Sequence, residues 1–277
     1  SPLASSPAFV NAPCPKCGKP GRREVDTMDT FVDSSWYFLR FASPHEETVP
    51  FDRAAVDYWL PVDQYVGGVE HAVLHLYYAR FVTKALHDLG YLSFVEPFAE
   101  LFTQGMIVKD GAKMSKSRGN VVRPDAIIDK YGADALRLFI LFAGPPDQDA
   151  EWSDEGVAGC FRFLSRAFSA VANHTDAYDP EWRHALASAE FSPAAAAIRR
   201  KLHQTIAKVT SEIEERFHFN TAIAALMEYV NDLTPFLEGG LDGIQERIVF
   251  SEAADTLTLL LSPFAPHLAD ELWERLG

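Results

Sequence analysis

The hydrophobic positions of this chain change their spacing about halfway along the sequence. Residues 27–150 alternate short apolar runs, glycine turns and helical repeats, whereas residues 151–277 contain helical repeats alone. Strand, glycine turn and helix in succession are typical of a parallel α/β sheet, and apolar stripes at helical spacing are typical of an antiparallel bundle. The pattern therefore predicts an α/β part with a parallel sheet, followed by an all-α antiparallel helical bundle.

Glycine and proline mark the ends of the elements predicted in the first part, because both interrupt regular structure. The prediction is a strand over 63–66 that ends at Gly67-Gly68, a helix over 69–89 that stops at Gly90, a strand over 102–108, and a helix from Pro124 through Tyr131 to Phe142.

Capping residues set the helix starts predicted in the second part. Ser153 is followed by two acids, which suit the positive end of a helix. The predicted helices begin at Ser153, run from Ser192-Pro193 to about Phe217, run from an Asn220 cap to about Leu233, begin at Ser251, and cover 268–276. Residues 1–26 are rich in Pro, Ser, Gly and basic residues, which is typical of a linker.

The formal charge of −14 argues against a nucleic-acid partner for the chain as a whole, since phosphate contacts require basic surface. The bases are nevertheless concentrated in one segment, residues 109–123. Its charged residues are the bases Lys109, Lys113, Lys116, Arg118 and Arg123 and a single acid, Asp110. Basic function is therefore expected locally, within an acidic body.

Composition also limits the location and the metal chemistry. No apolar run is long enough to span a membrane, residues 1–11 lack the features of a secretory signal, and three cysteines provide no disulfide framework, which predicts a reducing, cytoplasmic location. Cys14 and Cys17 resemble half of a zinc knuckle, but a closed zinc site needs four ligands. Zinc binding and an ordinary tight turn both stay open, and no metal ligand set is assigned.

The segment Lys113-Met114-Ser115-Lys116-Ser117, here called the lysine loop, carries the most informative chemistry. Gly111 and Gly119 flank it, and glycine on both sides predicts a mobile loop. Two ammonium groups, two hydroxyls and successive backbone N–H groups suit a polyphosphate. A solvated surface turn is the alternative interpretation of the same residues.

A glycine pair precedes two histidines. Gly67 and Gly68 would let a ligand approach the backbone, and a helix N-terminus behind them would favour anionic groups. Glu70 is a candidate acceptor for ribose hydroxyls. His71 and His75 lie four residues apart and would share one helix face, but the segment offers no further metal ligands, and two core histidines are the alternative.

Phe31, Ser34 and Tyr37 recur every three residues. On one helical turn they would present two aromatic walls and a hydroxyl to one side, which suits a pocket for an aliphatic side chain with a polar end. Aromatics at this spacing are also common in a plain core, so both interpretations stay open.

Together these segments resemble the class I aminoacyl-tRNA synthetases, and within them the leucine-specific enzymes of bacterial type. The lysine loop would fit many class I enzymes, whereas residues 33–37 and 69–71 favour leucine. The resemblance covers nearly the whole chain from Cys14. The motifs that carry it are residues 26–37, 67–76, 102–106, 113–120 and 131–137, together with 261–268, which resemble the tRNA-binding helical domain of the leucine, isoleucine and valine enzymes.

The resemblance implies a domain plan. Residues 27–150 would be the second half of a Rossmann-like catalytic domain, residues 151–277 an α-helical, anticodon-type tRNA-binding domain, and residues 1–26 a linker or the remnant of a connecting or editing region. The family's His-Ile-Gly-His-type phosphate signature, its editing domain and its C-terminal appendage are not found in the sequence. The chain alone is therefore expected to be catalytically incomplete without the N-terminal catalytic half.

The resemblance also implies a ligase that activates leucine with ATP, accompanied by Mg²⁺, and transfers the leucine to tRNA(Leu). Lys113 and Lys116 would be catalytic, stabilising charge on the departing pyrophosphate. The implied ATP contacts are Gly67, Gly68, Glu70, Gln104, Met106, Lys113, Met114, Ser115, Lys116 and Ser117. The implied leucine contacts are Phe31, Ser34, Tyr37, His71 and His75.

Two other classes of function compete with this prediction. A noncatalytic module derived from the same fold would only hold tRNA or a partner protein, but such a module has no need of an intact lysine loop. A nucleotidyltransferase of a related fold has no need of the long helical domain.

Overall fold

The computed structural model describes residues 2–186 and 189–277. It divides into two compact units, the first ending at Thr103 and the second starting at Gln104. No described helix has the length and apolar character that crossing a membrane requires. The predicted order, a mixed α/β part followed by an all-helical part, is confirmed.

The first unit combines short helices with two small sheets. Its helices are α1 Pro7–Val10, α2 Phe31–Ser34, α3 Tyr37–Phe41, α4 Arg53–Trp59 and α5 His75–Asp88, and a 3₁₀ helix covers Val69–Val73. Strands β1 Asn11–Pro13 and β2 Pro20–Arg22 pair antiparallel, and β3 Val62–Gly68 pairs with β4 Phe98–Gln104.

The core of the first unit is formed by apolar side chains that these elements turn inward. Phe38, Leu39, Val56, Ala79 and Leu92 are buried together. The Asp52 carboxylate caps α4 by accepting from the backbone N–H groups of its first turn, which satisfies donors that have no partner inside the helix.

The helix predicted over 69–89 is wrong as a continuous element, and the helical turn on which Phe31, Ser34 and Tyr37 would align is interrupted. The segment 69–89 is a 3₁₀ turn followed by α5, because the backbone of Leu74 (φ −113°, ψ −105°) leaves the helical region. The aromatic segment near residue 31 forms α2 and α3, separated at Trp36 (φ −139°, ψ 4°). Apolar spacing continues through both breaks, so periodicity alone does not reveal them.

The second unit contains one small sheet and the helical bundle. Its strands are β5 Ile107–Lys109, β6 Ala112–Lys113 and β7 Ala150–Glu151. Its helices are α6 Pro124–Tyr131, α7 Ala133–Phe142, α8 Asp154–Ala172, α9 Trp182–Leu186, α10 Pro193–Glu214, α11 Phe219–Glu238, α12 Ile244–Leu261 and α13 Pro266–Leu276, with a 3₁₀ turn at Thr175–Ala177.

Strand β5 is central in this sheet, antiparallel to β6 and parallel to β7. The predicted single strand over 102–108 is wrong, because the chain bends between β4 and β5 at Gly105. A side chain at Gly105 would collide with the backbone of Gln148, and the Gly105 N–H donates to Pro146 O at 2.8 Å. Glycine is therefore required where these two backbone segments meet.

The bundle helices surround one apolar core, which includes Leu202, Ile223, Leu226 and Leu257. The predicted caps at Ser153 and Ser192 are confirmed, since each side chain accepts from a backbone N–H of the first turn. The predicted helix over 124–142 is wrong as one element, because Gly132 adopts a φ of +83° between α6 and α7.

Three predicted boundaries in the bundle are also wrong. Helix α10 ends at Glu214, before Phe217, whose positive φ of 58° ends regular structure. Asn220 lies inside α11, which extends to Glu238. Helix α12 begins at Ile244, seven residues before Ser251, whose buried hydroxyl donates to Arg247 O and accepts from the Asp179 N–H. A serine that finds such partners is tolerated mid-helix.

Candidate active-site residues

Most of the predicted leucine-binding residues lie together in the first unit. The rings of Phe31 and Tyr37 lie 6.4 Å and 6.1 Å from that of His75, and His71 lies 6.2 Å from both Phe31 and His75. We call these four residues and Tyr65 the aromatic–histidine cluster. The breaks at Leu74 and Trp36 therefore do not disperse the predicted set.

A chain of hydrogen bonds runs through the cluster. The Tyr37 and Tyr65 hydroxyls are 3.0 Å apart, and the Tyr65 hydroxyl is 2.9 Å from Nε2 of His75. Tyr65 also stacks on Phe98 with ring centroids 3.9 Å apart. Because each side chain fixes the next, the polar wall of the cluster is formed before any ligand arrives.

Burial sets the protonation of this wall. Desolvation, followed by the neighbouring charge of His71, lowers the pKa of His75, which is 7% exposed. Burial, followed by the hydrogen bond with Tyr37, raises the pKa of Tyr65 well above its ordinary value. At neutral pH both side chains are therefore uncharged, as an apolar pocket requires.

Two ring nitrogens of the cluster lack partners. The Nδ1 atoms of His71 and His75 are buried and form no hydrogen bond to any residue that the structure describes. Buried polar atoms are normally paired, and an unpaired one requires an explanation such as a ligand. The cluster therefore offers two polar positions among aromatic walls.

The structure adds two residues to those predicted and shows the local partner of the Ser34 hydroxyl. Tyr65 and Phe98 were missed, although Tyr65 precedes the glycine pair by two residues and points inward on β3. The Ser34 hydroxyl donates to Phe31 O at 3.3 Å, within its own turn.

The glycine pair ends β3, and Gly68 is in contact with Glu70. A side chain at Gly68 would collide with the Glu70 carboxylate, which lies against this backbone. The predicted α-helix N-terminus behind the pair is wrong, because the five-residue 3₁₀ turn follows and α5 begins only at His75. This turn therefore lets a ligand approach the backbone closely, but it does not offer the dipole of an α-helix.

The lysine loop begins at the end of the β5–β6 hairpin of the second unit. Val108 pairs with Lys113 and Lys109 with Ala112. The turn between them is Asp110-Gly111, with φ angles of 57° and 66°, which matches the two-residue turns that suit a twisted hairpin.

Asn120 holds the loop in place. Its Oδ1 accepts from the Ser115 N–H at 2.9 Å, and its Nδ2 donates to Lys109 O at 3.1 Å and to Lys113 O at 3.4 Å. Gly119 (φ 71°) closes the turn by donating to the carbonyls of Ser115 and Lys116. One amide therefore ties both ends of the loop to the hairpin.

The loop side chains divide between the core and solvent. Met114 packs against the bundle core. The Ser115 and Ser117 hydroxyls lie 3.1 Å apart. Lys113 and Lys116 are exposed, and neither ammonium forms an ion pair with any residue of the described ranges 2–186 and 189–277. The loop backbone is therefore held by hydrogen bonds, whereas its two ammonium groups have no ion-pair partner among the described residues.

The two other predicted nucleotide-binding positions follow β4. Gln104 is exposed at the end of that strand. Both backbone groups of Met106 are used, since its N–H donates to Asp149 Oδ1 at 2.6 Å and its carbonyl accepts from the Ala150 N–H at 3.0 Å.

Cys14 and Cys17 lie in the turn between β1 and β2. The Gly18 N–H donates to Cys14 O at 2.8 Å, and hydrogen bonds from the backbone of Cys17 and Lys16 lower the pKa of Cys14. Within the part of the chain that the structure describes, no group of three or more potential metal ligands is found.

Comparison with known proteins identifies the family. A model of the class I tRNA synthetases for isoleucine, leucine, methionine and valine matches residues 17–153, and a model of the anticodon-binding domain of tRNA ligases matches residues 195–277. The chain belongs to the class I aminoacyl-tRNA synthetases.

Its relatives define the branch within that class. The chain is 56% identical over 277 residues to leucine–tRNA ligases of Syntrophobacter fumaroxidans and Thermotoga maritima, in each case over 100% of this chain and 33% of the relative. The leucine–tRNA ligase family is therefore the one to which the chain belongs, and the chain spans about a third of the length of these relatives.

Solved structures agree with this assignment. A ternary complex of an Agrobacterium radiobacter leucyl-tRNA synthetase with tRNA and LeuAMS matches with a TM-score of 0.83 and 42% identity, over 100% of this chain and 35% of that one. A methionyl-tRNA synthetase of Mycobacterium tuberculosis, 22% identical with a TM-score of 0.62 over 88% of this chain and 49% of that one, shares the fold.

Proposed function

We propose that this chain forms part of an enzyme that activates leucine with ATP and transfers it to tRNA(Leu). Residues 27–150 would contribute the second half of the catalytic domain, and residues 151–277 the tRNA-binding domain. The proposal rests above all on the lysine loop, whose backbone is fixed by Asn120 while its two ammonium groups stay unpaired.

The lysine loop is assigned to the leaving group of the activation step. The leucine carboxylate attacks the α-phosphate of ATP, and pyrophosphate leaves with growing negative charge. Lys113 and Lys116 stabilise that charge, and Lys116 is the stronger candidate. Ser115 and Ser117 add hydroxyl donors, and Met114 anchors the loop in the core.

The nucleoside of ATP is assigned to the glycine turn and the end of β4. Gly67 and Gly68 allow close approach of the backbone, and Glu70 accepts from ribose hydroxyls. Gln104 and the Met106 backbone are further candidates for the ribose and adenine contacts, and at Met106 the second lone pair of the carbonyl is what is left for a ligand. Mg²⁺ would arrive with ATP as part of the substrate, and no protein ligand is assigned to it.

The leucine is assigned to the aromatic–histidine cluster. Phe31 and Tyr37 supply apolar walls, and His71 and His75 supply polar edges with unpaired Nδ1 atoms. Ser34, whose hydroxyl donates to Phe31 O, is assigned to the same pocket. Because His75 is buried and its pKa is lowered, the pocket favours an uncharged aliphatic side chain.

The partners follow from the same assignment. They are leucine, ATP, tRNA(Leu), and the N-terminal catalytic half and editing domain of the family. The cytoplasm is the proposed location, since this is where tRNA is charged and where free cysteines persist.

Leucine-dependent ATP–pyrophosphate exchange tests the proposal. We expect exchange when this chain is joined to the remaining two thirds of a leucine–tRNA ligase, and none from the chain alone, because half of a nucleotide crevice cannot position both reactants. No exchange by the joined enzyme would leave the noncatalytic tRNA- or protein-binding module as the better description. Robust exchange by the isolated chain would refute the division of the site.

A further inference from the structure

A buried aspartate in the second unit connects the two matched family regions. Asp134 lies on α7, within the catalytic match, and is 8% exposed. Its Oδ2 accepts from the Leu268 N–H at 2.7 Å, and its Oδ1 is 2.7 Å from Nδ1 of His267. Both partners lie in the first turn of α13, within the anticodon-binding match.

Helix α13 depends on this contact because it does not cap itself. Its N-cap residue is Ala265, which has no side-chain acceptor, and Pro266 occupies the first helical position. The N–H groups of a first helical turn need external partners, and a carboxylate there also complements the helix dipole. Asp134 supplies from a different helix what the α13 sequence lacks.

A second hydrogen bond also joins α7 to the segment before α13. Arg137, one turn after Asp134 on α7, donates to Pro263 O at 3.3 Å in the turn before α13. An open surface groove of about 310 Å³ lies beside this junction and is lined by Tyr131, Asp134, Phe161, Leu164, Phe168 and Leu268 among others.

Helix α7 is also connected to the lysine loop, through α6. Helix α6 begins seven residues after the last residue of the loop, Ser117, and is joined to α7 by the single residue Gly132. An element that fixes α7 against α13 thus sets the tRNA-binding bundle relative to the loop within this unit.

We infer that Asp134 is a positioning residue for the transfer of leucine to tRNA. It holds α13 so that a tRNA bound to the bundle presents its 3′ end in register with the lysine-loop side of the site. The proposed activation step places no bundle side chain at the reacting groups, so Asp134 is expected to act on the transfer step and not on adenylate formation. This inference rests on the proposed function.

The test compares two reactions of a complete leucine–tRNA ligase that carries this region. Asp134→Ala removes both acceptors and is expected to lower kcat/KM for tRNA in aminoacylation by about ten- to hundredfold, the equivalent of one hydrogen bond to a charged group. Leucine-dependent pyrophosphate exchange without tRNA should stay within about twofold of wild type. Asp134→Asn keeps an acceptor for Leu268 and should restore most of the loss.

Two further variants separate positioning from stability. Ser192→Ala removes the hydroxyl that caps α10 and should leave both reactions unchanged. His267→Ala removes a side chain that is 76% exposed, so this variant should fold even where Asp134→Ala does not. It should lower aminoacylation by a few-fold and leave pyrophosphate exchange unchanged.

The outcomes distinguish the two proposals. A wild-type enzyme without either activity refutes the proposed function. A wild-type enzyme with both activities, in which Asp134→Ala lowers exchange and aminoacylation equally or lowers neither, refutes the positioning role. Where Asp134→Ala does not fold, the other two variants decide. Unchanged aminoacylation in both Asp134→Asn and His267→Ala, or equal losses in aminoacylation and pyrophosphate exchange, would also refute the positioning role.

Discussion

The aromatic–histidine cluster and the lysine loop are held in place in opposite ways. In the cluster, the functional side chains fix one another, with Tyr65 bonded to both Tyr37 and His75. In the loop, only the backbone is fixed, by Asn120, and Lys116 carries its charge free in solvent. A preformed wall suits recognition of a neutral side chain, whereas free charges on an anchored turn suit a group whose charge develops during reaction.

The largest expected effect comes from removing a free charge. In the complete enzyme, Lys116→Ala should lower the rate of pyrophosphate exchange by about 10²–10³-fold, the range for losing one transition-state donor. The melting temperature should not change, because the ammonium forms no ion pair with any described residue. Lys130→Ala, an exposed lysine on α6, is the matched control and should leave the rate unchanged. A rate loss accompanied by lower stability would contradict the comparison.

The next effect is on leucine binding. Tyr37→Ala and His75→Ala should each weaken leucine binding by about 1–3 kcal/mol, the cost of losing one wall of an apolar pocket. ATP affinity should change little, since the glycine turn and Glu70 remain. Separate leucine and ATP titrations alongside thermal unfolding measure this. Equal losses for both ligands in a destabilised protein would show that these residues are ordinary core.

A smaller effect is expected when the anchor of the loop is removed. Asn120→Ala deletes several neutral hydrogen bonds of about 1 kcal/mol each at most, so the loop should open more often and the exchange rate should fall by about tenfold. Amide hydrogen exchange at Ser115 should accelerate in parallel. Asn120→Asp keeps the acceptor for the Ser115 N–H and should protect that amide. Unchanged protection in Asn120→Ala would show that the loop is held by other contacts.

The smallest effect is a pH dependence from the cluster. The pKa of His75 is lowered in the folded protein, so the unfolded chain binds its proton first as pH falls. The stability that the neutral side chain contributes is therefore complete above the ordinary value near 6.5 and diminishes as pH falls through the lowered value. His75→Gln should flatten the free energy of unfolding over this range. An identical pH slope in both proteins would contradict the assignment.

Sequence patterns predicted which side chains of the two regions lie together better than they predicted the backbone that carries them. The lysine loop was predicted from its flanking glycines, and its hairpin adds only the Asn120 anchor. In the cluster, Phe31, Tyr37, His71 and His75 do lie together, although the continuous helices that were expected to align them are broken. Side-chain types and spacing survive such breaks, because a 3₁₀ turn keeps neighbours at similar distances.

What the sequence could not predict depends on contacts distant along the chain. Tyr65 becomes part of the cluster only because β3 brings it to His75. Gly105 ends a strand because the backbone of Gln148 passes beside it. Ser251 resembles a helix start, yet its hydroxyl is satisfied by Arg247 and Asp179 inside the bundle. In each case a tertiary partner overrides the local signal.

The central claim is that the cluster recognises leucine while the loop accelerates its activation. Leucine-dependent pyrophosphate exchange, with kcat and the KM for leucine determined for Lys116→Ala and His75→Ala in the same complete enzyme, tests this most directly. We predict that Lys116→Ala lowers kcat and leaves the KM for leucine unchanged, whereas His75→Ala raises that KM and keeps most of kcat. A Lys116→Ala variant whose loss appears only in the KM for leucine would contradict the account.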